Sequence, residues 1–325
     1  MKPALTTRLK RRPRTTARRT VAAFAAAFLL AGCAGTTGDT DHAAAPTASA
    51  AEDSAYPVTV GKVTLAHQPH RIVSLSPSST EMLFAVGAGP QVVAVDDQSD
   101  YPAGVPKSNL SGFKPSAEAI AAKNPDLVVL SDDIDKIVDQ LAALKIPVFQ
   151  TPAAALLADS YAEIDQIGTL TGHAAAAVAL TGRMRAQIAA TVQSVPKRAR
   201  PLTYYYELDP TFYTVTSKTF IGSIFAQLGM VNVADPADPS GAKGGYPQLS
   251  QETLIKANPD MIFLADSKCC KQSAGTVAKR TGWSGVGAVK NGRVVALDDD
   301  VASRWGPRVV ELVRAVADAV AKVPA

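Results

Sequence analysis

The sequence predicts an α/β protein of two Rossmann-like lobes joined by one long α-helix, and three observations carry that expectation. After Tyr56, short β-rich runs alternate with helical periods, the signature of parallel α/β units. The segment Ser116-Ala117-Glu118-Ala119-Ile120, leading to Asn124-Pro125-Asp126 and the apolar run Leu127 to Leu130, recurs 134 residues later. There it reads Ser250-Gln251-Glu252-Thr253-Leu254, then Asn258-Pro259-Asp260 and Met261 to Leu264. Between the two copies runs Ala174 to Val195, about six turns at ~3.6 residues each, free of Gly and Pro except Gly182 and stopped by Pro196. The expected organisation is a leader over 1–32, a linker over 33–56, one lobe over 57–172, the connecting helix over 173–196 and a second lobe over 197–325.

In chain order, Arg71 to Leu75 is the first clear strand. Ser78-Ser79-Thr80-Glu81 follows as a capping-box pattern, opening a helix that stops at Gly87. Val92 to Val95, Leu127 to Leu130 and Val148-Phe149 read as further strands. Ser160 with Glu163 forms a second capping-box pattern, and Gly172 ends that helix. Beyond the long helix, strands are expected at Leu202 to Glu207, Val231 to Val233, Met261 to Leu264 and Arg293 to Leu297, then a last helix over Val309 to Val320. In each repeat, Ser is the expected N-cap, Glu sits in the first turn, and Asn-Pro-Asp breaks the helix before a buried strand.

With 325 residues, 47% of them hydrophobic and 19% charged, the chain can bury a core, which excludes disorder. The formal charge of +4 is a property of the leader: Lys2, Arg8, Lys10, Arg11, Arg12, Arg14, Arg18 and Arg19 precede residue 33 and no acid does. Without them 25 basic residues face 29 acidic ones, a charge of −4, and a mildly acidic body without a basic stripe argues against nucleic acid. The basic stretch runs into eleven apolar residues, Val21 to Ala31, where a spanning helix needs ~20. It reads as a signal peptide, and Leu30-Ala31-Gly32-Cys33 closes it as a lipobox-like sequence that would place lipid on Cys33. The mature chain is then expected outside the cytoplasm, tethered to the membrane. Residues 34–55 are Ala, Thr, Gly, Ser, Pro and Asp with almost no large apolar side chain, a linker composition.

Enzyme motifs are absent: there is no G-x-x-x-x-G-K-[ST], H-E-x-x-H or G-x-S-x-G. The four His, at 42, 67, 70 and 173, lack metal-ligand spacing, so no metal site and no catalytic residue is assigned. Ser194-Val195-Pro196-Lys197 matches S-x-x-K, but without S-D-N or K-T-G; an exported serine hydrolase using Ser194 and Lys197 is the reading from a different class.

The stretch Arg71-Ile72-Val73-Ser74-Leu75-Ser76-Pro77-Ser78-Ser79-Thr80-Glu81, then Ser99-Asp100-Tyr101-Pro102, with the two Ser-x-Glu to Pro-Asp units, resembles the iron-siderophore/vitamin B12 periplasmic-binding family. The resemblance covers about Val58 to Val320. It implies a helical-backbone binding fold with ligand in the cleft between the lobes, no cofactor beyond the metal inside a bound chelate, and a monomer that serves an ABC permease dimer with its ATPase subunits. Glu118 and Glu252 match the family's two docking carboxylates, one per lobe, suited to Arg on a two-fold partner. Ligand contacts are expected from loops at strand C-terminal ends: Ser76, Gln98, Tyr101, Phe113, Lys114, Phe212, Tyr213, Tyr246, Arg304, Trp305 and Arg308. Arg304 and Arg308 are read as a clamp on anionic oxygens or as an ion pair with Asp298-Asp299-Asp300, while Tyr204, Tyr205 and Tyr206 are expected mostly in the core. The B12-binding pattern carries a Trp before the first Ser-x-Glu unit, where Ser111-Gly112-Phe113-Lys114 stand here. Lys114 with Arg304 and Arg308 tips the implied ligand toward an anionic ferric siderophore, with a corrinoid as the alternative. Cys269-Cys270 is read as a vicinal disulfide ahead of two free thiols; such a bridge would be strained, because neighbouring Cα atoms lie ~3.8 Å apart and bridges prefer ~4.4 Å or more.

Overall fold

The computed structural model describes residues 55–324. The leader, Cys33 and the linker up to residue 54 lie outside the described residues. Among those described, no helix is long and apolar enough to cross a membrane.

An antiparallel hairpin, β1 (Val58–Val60) and β2 (Val63–Leu65), opens the first lobe ahead of its parallel sheet. The sequence reading did not anticipate it, because three-residue strands leave too short an alternation to register. The first parallel sheet holds β3 (Ile72–Ser74), β4 (Val92–Val95), β5 (Leu127–Leu130) and β6 (Val148–Gln150) in the order β4-β3-β5-β6. The second holds β7 (Thr203–Glu207), β8 (Val231–Asn232), β9 (Met261–Leu264) and β10 (Val294–Ala296) in the order β10-β9-β7-β8. Read from their second strands, both sheets run second, first, third, fourth. The two halves of the repeat thus carry one topology, and helix Ala174–Ser194 connects them.

Repeat residues do the same local work in both lobes. Ser116 Oγ accepts from the Ala119 N–H and Ser250 Oγ from the Thr253 N–H, so each Ser caps its helix. After the helices, Asn124 and Asn258 both stand in the left-handed region, at φ 49° and 47°, Asn258 as the C-cap itself. The Asp126 carboxylate then accepts the backbone N–H groups of His70 and Arg71 at 2.7 and 2.8 Å, and Asp260 accepts that of Thr203 at 2.8 Å. Each Asp thereby fixes the start of its lobe's first strand.

Both capping-box expectations are corrected. Pro77, lacking an N–H and pre-set in φ, begins the first helix (Pro77–Val86), so Ser76 occupies the N-cap position and Ser78 and Glu81 lie inside the helix. In the helix Leu157–Thr171, Asp159 reaches back to the N–H groups of Ala155 and Leu156 at 3.1 and 2.9 Å, starting the helix before Ser160. Gly87 and Gly172 close these helices in left-handed conformation, as expected.

The largest apolar cluster runs across both lobes: Ile72 and Leu127 of the first sheet, Tyr204 and Phe263 of the second, and Met184 and Ile188 of the connecting helix are all buried in it. Tyr204, Tyr205 and Tyr206 are fully buried; Tyr204 stacks on Phe225 at 4.3 Å, and Tyr206 donates its hydroxyl hydrogen to the Ala302 carbonyl.

Candidate functional site

At a strand-order reversal the loops leaving two adjacent strands part and leave a crevice. In the first lobe that point lies between the C-terminal ends of β3 and β5, and a cavity of about 430 Å³ opens there. Its walls are Leu75, Ser76, Pro77 and Ser78 after β3, Asp96 and Gln98 after β4, and Leu130, Ser131 and Asp132 at the end of β5. Gly112 and Phe113 close one side; Asp300, Ser303, Arg304 and Trp305, from the second half of the chain, close another. A Cβ at Gly112 would lie 2.5 Å from the Leu75 carbonyl oxygen, so glycine lets this loop approach the crest of β3.

The Ser-rich motif after β3 divides its labour. Thr80 Oγ1 donates to Ser74 Oγ at 2.8 Å and lies 2.9 Å from Ser99 Oγ, and Ser99 in turn donates to Asp96. Ser79 meets Thr151 Oγ1 at 2.6 Å. These buried hydroxyls tie β3, β4 and β6 together beneath the cavity, and burial raises the Asp96 carboxyl above its ordinary range. Ser131 Oγ is different: it is buried, lies in the cavity wall and has no hydrogen-bond partner.

Arg304 and Arg308, read as a clamp or as an ion pair, are both engaged in ion pairs. Glu81, whose side chain is only 2% exposed, accepts from Arg304 Nη1 at 2.9 Å and from Arg308 Nε and Nη2 at 2.9 and 2.5 Å. Arg304 also pairs with Asp100 at 3.1 Å and Asp300 at 2.9 Å, and Arg308 lies over the Tyr101 ring at 4.2 Å, outside the cavity wall. The ion-pair alternative therefore holds for Arg304 through Asp300, but the main partner is Glu81, more than 200 residues away. A carboxylate buried at that position needs compensating charge, and two guanidiniums supply it.

Of the eleven expected ligand contacts, Ser76, Gln98, Phe113, Arg304 and Trp305 line the cavity, while Tyr101, Lys114, Phe212, Tyr213, Tyr246 and Arg308 do not. Lys114 is exposed on the surface beside Phe113. Phe212 is stacked on Trp283, with ring centroids 5.9 Å apart, beneath Arg280; Tyr213 and Tyr246 are 43% and 45% exposed on the second lobe. Cys269 and Cys270 are free thiols rather than a vicinal bridge. Their backbone N–H groups bond to Asp299 at 2.9 Å and to the Asp266 carbonyl at 3.2 Å, and the distorted ring of a vicinal bridge would compete with that turn. Ser194 donates to the Thr191 carbonyl at 2.7 Å, and no hydrogen bond joins it to Lys197 among the described residues, so the S-x-x-K match has no catalytic geometry. Glu118 and Glu252 are both exposed, each in the first turn of its Ser-capped helix.

A profile described as periplasmic binding protein matches residues 72–301. The chain belongs to the periplasmic binding protein family. The members of this family are binding components of transport and not enzymes. An ABC transporter substrate-binding lipoprotein of Bacillus subtilis is 30% identical over 314 residues, covering 91% of this chain and 94% of the relative. A cobalamin-binding protein of Halobacterium salinarum is 32% identical over 266 residues, 79% of this chain and 71% of the relative. The crystal structure of a candidate iron-binding (periplasmic solute-binding) protein of Staphylococcus epidermidis superposes with a TM-score of 0.68 at 28% identity, covering 78% of this chain and all of the other. The two-lobe fold expected from sequence is the fold of this family.

Sequence reasoning missed Glu81, Glu163, Ser131 and Asp132. Glu81 and Glu163 each stand three residues after a Ser, where the pattern assigns them to helix capping. A carboxylate directly after a Ser-rich crest is the available signal for Glu81.

Proposed function

We propose that this binding protein is the capture component of an ABC importer and that its ligand is a corrinoid, held over the cavity between β3, β5 and the Asp300 to Trp305 segment. The observation that carries the ligand class is the neutralisation of Arg304 and Arg308 by Glu81. Among the described residues lining the cavity Arg304 is the one cation, and its hydrogens are engaged by Glu81, Asp100, Asp300 and the Gln98 carbonyl. What faces the ligand is hydroxyl, amide and carboxyl: Ser76, Ser131, Ser303, Gln98, Asp132 and the raised Asp96. That surface suits the neutral amides of a corrinoid better than a multiply anionic ferric chelate, which would meet carboxylates without a free cation. Phe113, 72% exposed on the rim, and Trp305 give apolar faces for a flat macrocycle. The ferric-siderophore expectation loses two of the three cations on which it rested, and the cobalamin-binding relative adds support for the corrinoid.

The tether on Cys33 and the docking of Glu118 and Glu252 to a permease belong to the same proposal; the lipoprotein relative and the symmetric placement of the two Glu support them. The test is a calorimetric titration of the mature chain with cyanocobalamin, ferric hydroxamate and ferric catecholate. Saturable one-to-one binding of cyanocobalamin, weakened in Ser131→Ala, is the expected result; saturable binding of a ferric chelate without cyanocobalamin would overturn the ligand assignment.

A further inference from the structure

Trp305 belongs to the second half of the chain, yet three side chains of the first lobe hold it. Its backbone N–H donates to Ser78 Oγ at 3.3 Å, its carbonyl accepts from Ser160 Oγ, and its indole Nε1–H donates to Glu163 Oε2 at 3.0 Å. On either side of it, Arg304 and Arg308 are fixed to Glu81. The backbone of this strap is therefore anchored twice over, but the indole is oriented by one polar contact, the Glu163 carboxylate. Trp305 and Ser78 line the cavity while Glu163 does not, so Glu163 stands behind the ring that the ligand would touch.

We infer that Glu163 is a positioning residue for ligand capture: its ionised carboxylate fixes the Trp305 indole in the cavity wall, and protonating it loosens the ring and weakens the protein's hold on its ligand. This inference rests on the cavity reading above. Glu163 is 7% exposed, and burial, opposed by the indole hydrogen bond and reinforced by Asp159 one turn back, lifts its carboxyl to about 7. Asp159 and Asp165 share its helix, the first bonded to backbone N–H groups and the second to Thr181. Arg185 of the connecting helix lies over Tyr161 at 4.0 Å, and Glu81 of the helix Pro77–Val86 is held by Arg304 and Arg308 of the strap. Among the described residues none of these forms an ion pair with Glu163, so its own proton sets the strength of the indole contact.

A charge-assisted hydrogen bond is roughly twice as strong as a neutral one, so the expected loss of affinity from pH 8 to pH 5.5 is about fivefold. Cyanocobalamin keeps its charge over that range, and its dissociation constant is measured at both pH values for the wild type, Glu163→Gln and Glu163→Ala. Expected is a pH-dependent wild type, a Glu163→Gln variant that binds equally at both pH values because its amide oxygen still accepts the indole hydrogen, and a Glu163→Ala variant about tenfold weaker throughout. Parallel pH dependence in wild type and Glu163→Gln, or full affinity in a folded Glu163→Ala, would overturn the inference and leave the corrinoid reading standing. Trp emission without ligand separates the two failures: the chain has two Trp, and the Trp305 signal should titrate near pH 7 in the wild type and not in Glu163→Gln. If cyanocobalamin binds at neither pH, the ligand reading falls, and the absence of that emission difference would overturn the positioning role as well.

Discussion

The two lobes share strand order, Ser caps, left-handed Asn turns and Asp clamps, yet their crests differ. Between β3 and β5 the first lobe leaves a cavity walled by Ser76, Ser131 and Asp132. At the corresponding place between β7 and β9, Glu207 is completely buried and takes both arms of the Arg280 guanidinium. Phe212 and Trp283 stack beneath that guanidinium, and Asp266, fully buried with neither carboxylate oxygen hydrogen-bonded, faces Glu207. One switch point is open and lined with hydroxyls; the other is filled from within by a charge pair and aromatic rings. Duplicating a binding fold thus does not duplicate its site. The repeat is preserved where it caps helices and anchors strands, and it diverges at the strand ends where a ligand is met.

The difference breaks first at Arg280. Removing one partner of a buried pair leaves an uncompensated charge and costs about 3–5 kcal/mol, so Arg280→Ala should lower the melting temperature by roughly 10 °C. Ser131→Ala at the matching point of the first lobe removes a hydroxyl that holds no partner and should change stability by under ~0.5 kcal/mol. Thermal unfolding of the two variants side by side measures the asymmetry. Equal losses would mean that the second crest is no more internally bonded than the first.

Asp266 sharpens the comparison through pH. Burial, and then the Glu207 charge, lift its carboxyl to about 7, the value that burial also gives Glu163. Both are raised acids, so the folded chain holds more protons than the unfolded one from about pH 4 to 7, and stability declines as pH rises through that window. Asp260 has the opposite sign: hydrogen bonding to Arg200 holds it at about 2, and its contribution is lost only as the pH falls toward that value. The melting temperature should therefore peak near pH 4, where the falling limb of the two raised acids meets the rising limb of Asp260. Asp266→Asn should raise stability at pH 8 by about 2 kcal/mol and flatten the fall from 5 to 8. A variant whose profile runs parallel to the wild type would show that Asp266 is not the group that titrates.

What the sequence disclosed follows the same division. Val92–Val95, Leu127–Leu130 and Met261–Leu264 are four-residue apolar runs buried on both faces, and a continuous apolar run bounded by turn residues is legible without any contact being known. The connecting helix, with no acid or Pro to interrupt it, was equally plain. The site was not, because its decisive contacts are remote: Glu81 finds Arg304 and Arg308 across some 225 positions, and Glu163 finds Trp305 across 142. A local pattern such as Ser-x-x-Glu offers a nearby partner for a carboxylate, and the tertiary partner overrides it. The sequence pattern marks which residues cluster at strand ends, but which of them face ligand depends on which are already neutralised.

The smallest effect on the fold is expected where the lobes remain alike. Glu118 and Glu252 are exposed, and neither lines the cavity, so replacing them with Ala should move stability by under ~0.5 kcal/mol and leave ligand affinity alone. Its own backbone N–H, and then the Ser250 hydroxyl, hold the Glu252 carboxyl below its ordinary range, so it stays ionised at any pH where the protein would meet a permease. If the two carboxylates dock against equivalent Arg groups on a two-fold partner, each single variant should weaken import by a similar factor, and independent docking contacts would make the double variant weaker by about the product. Uptake of labelled ligand in cells carrying each variant measures this. Loss in one single variant and none in the other would mean that the repeat is symmetric in structure but not in docking, and that the divergence seen at the crests reaches the outer surface as well.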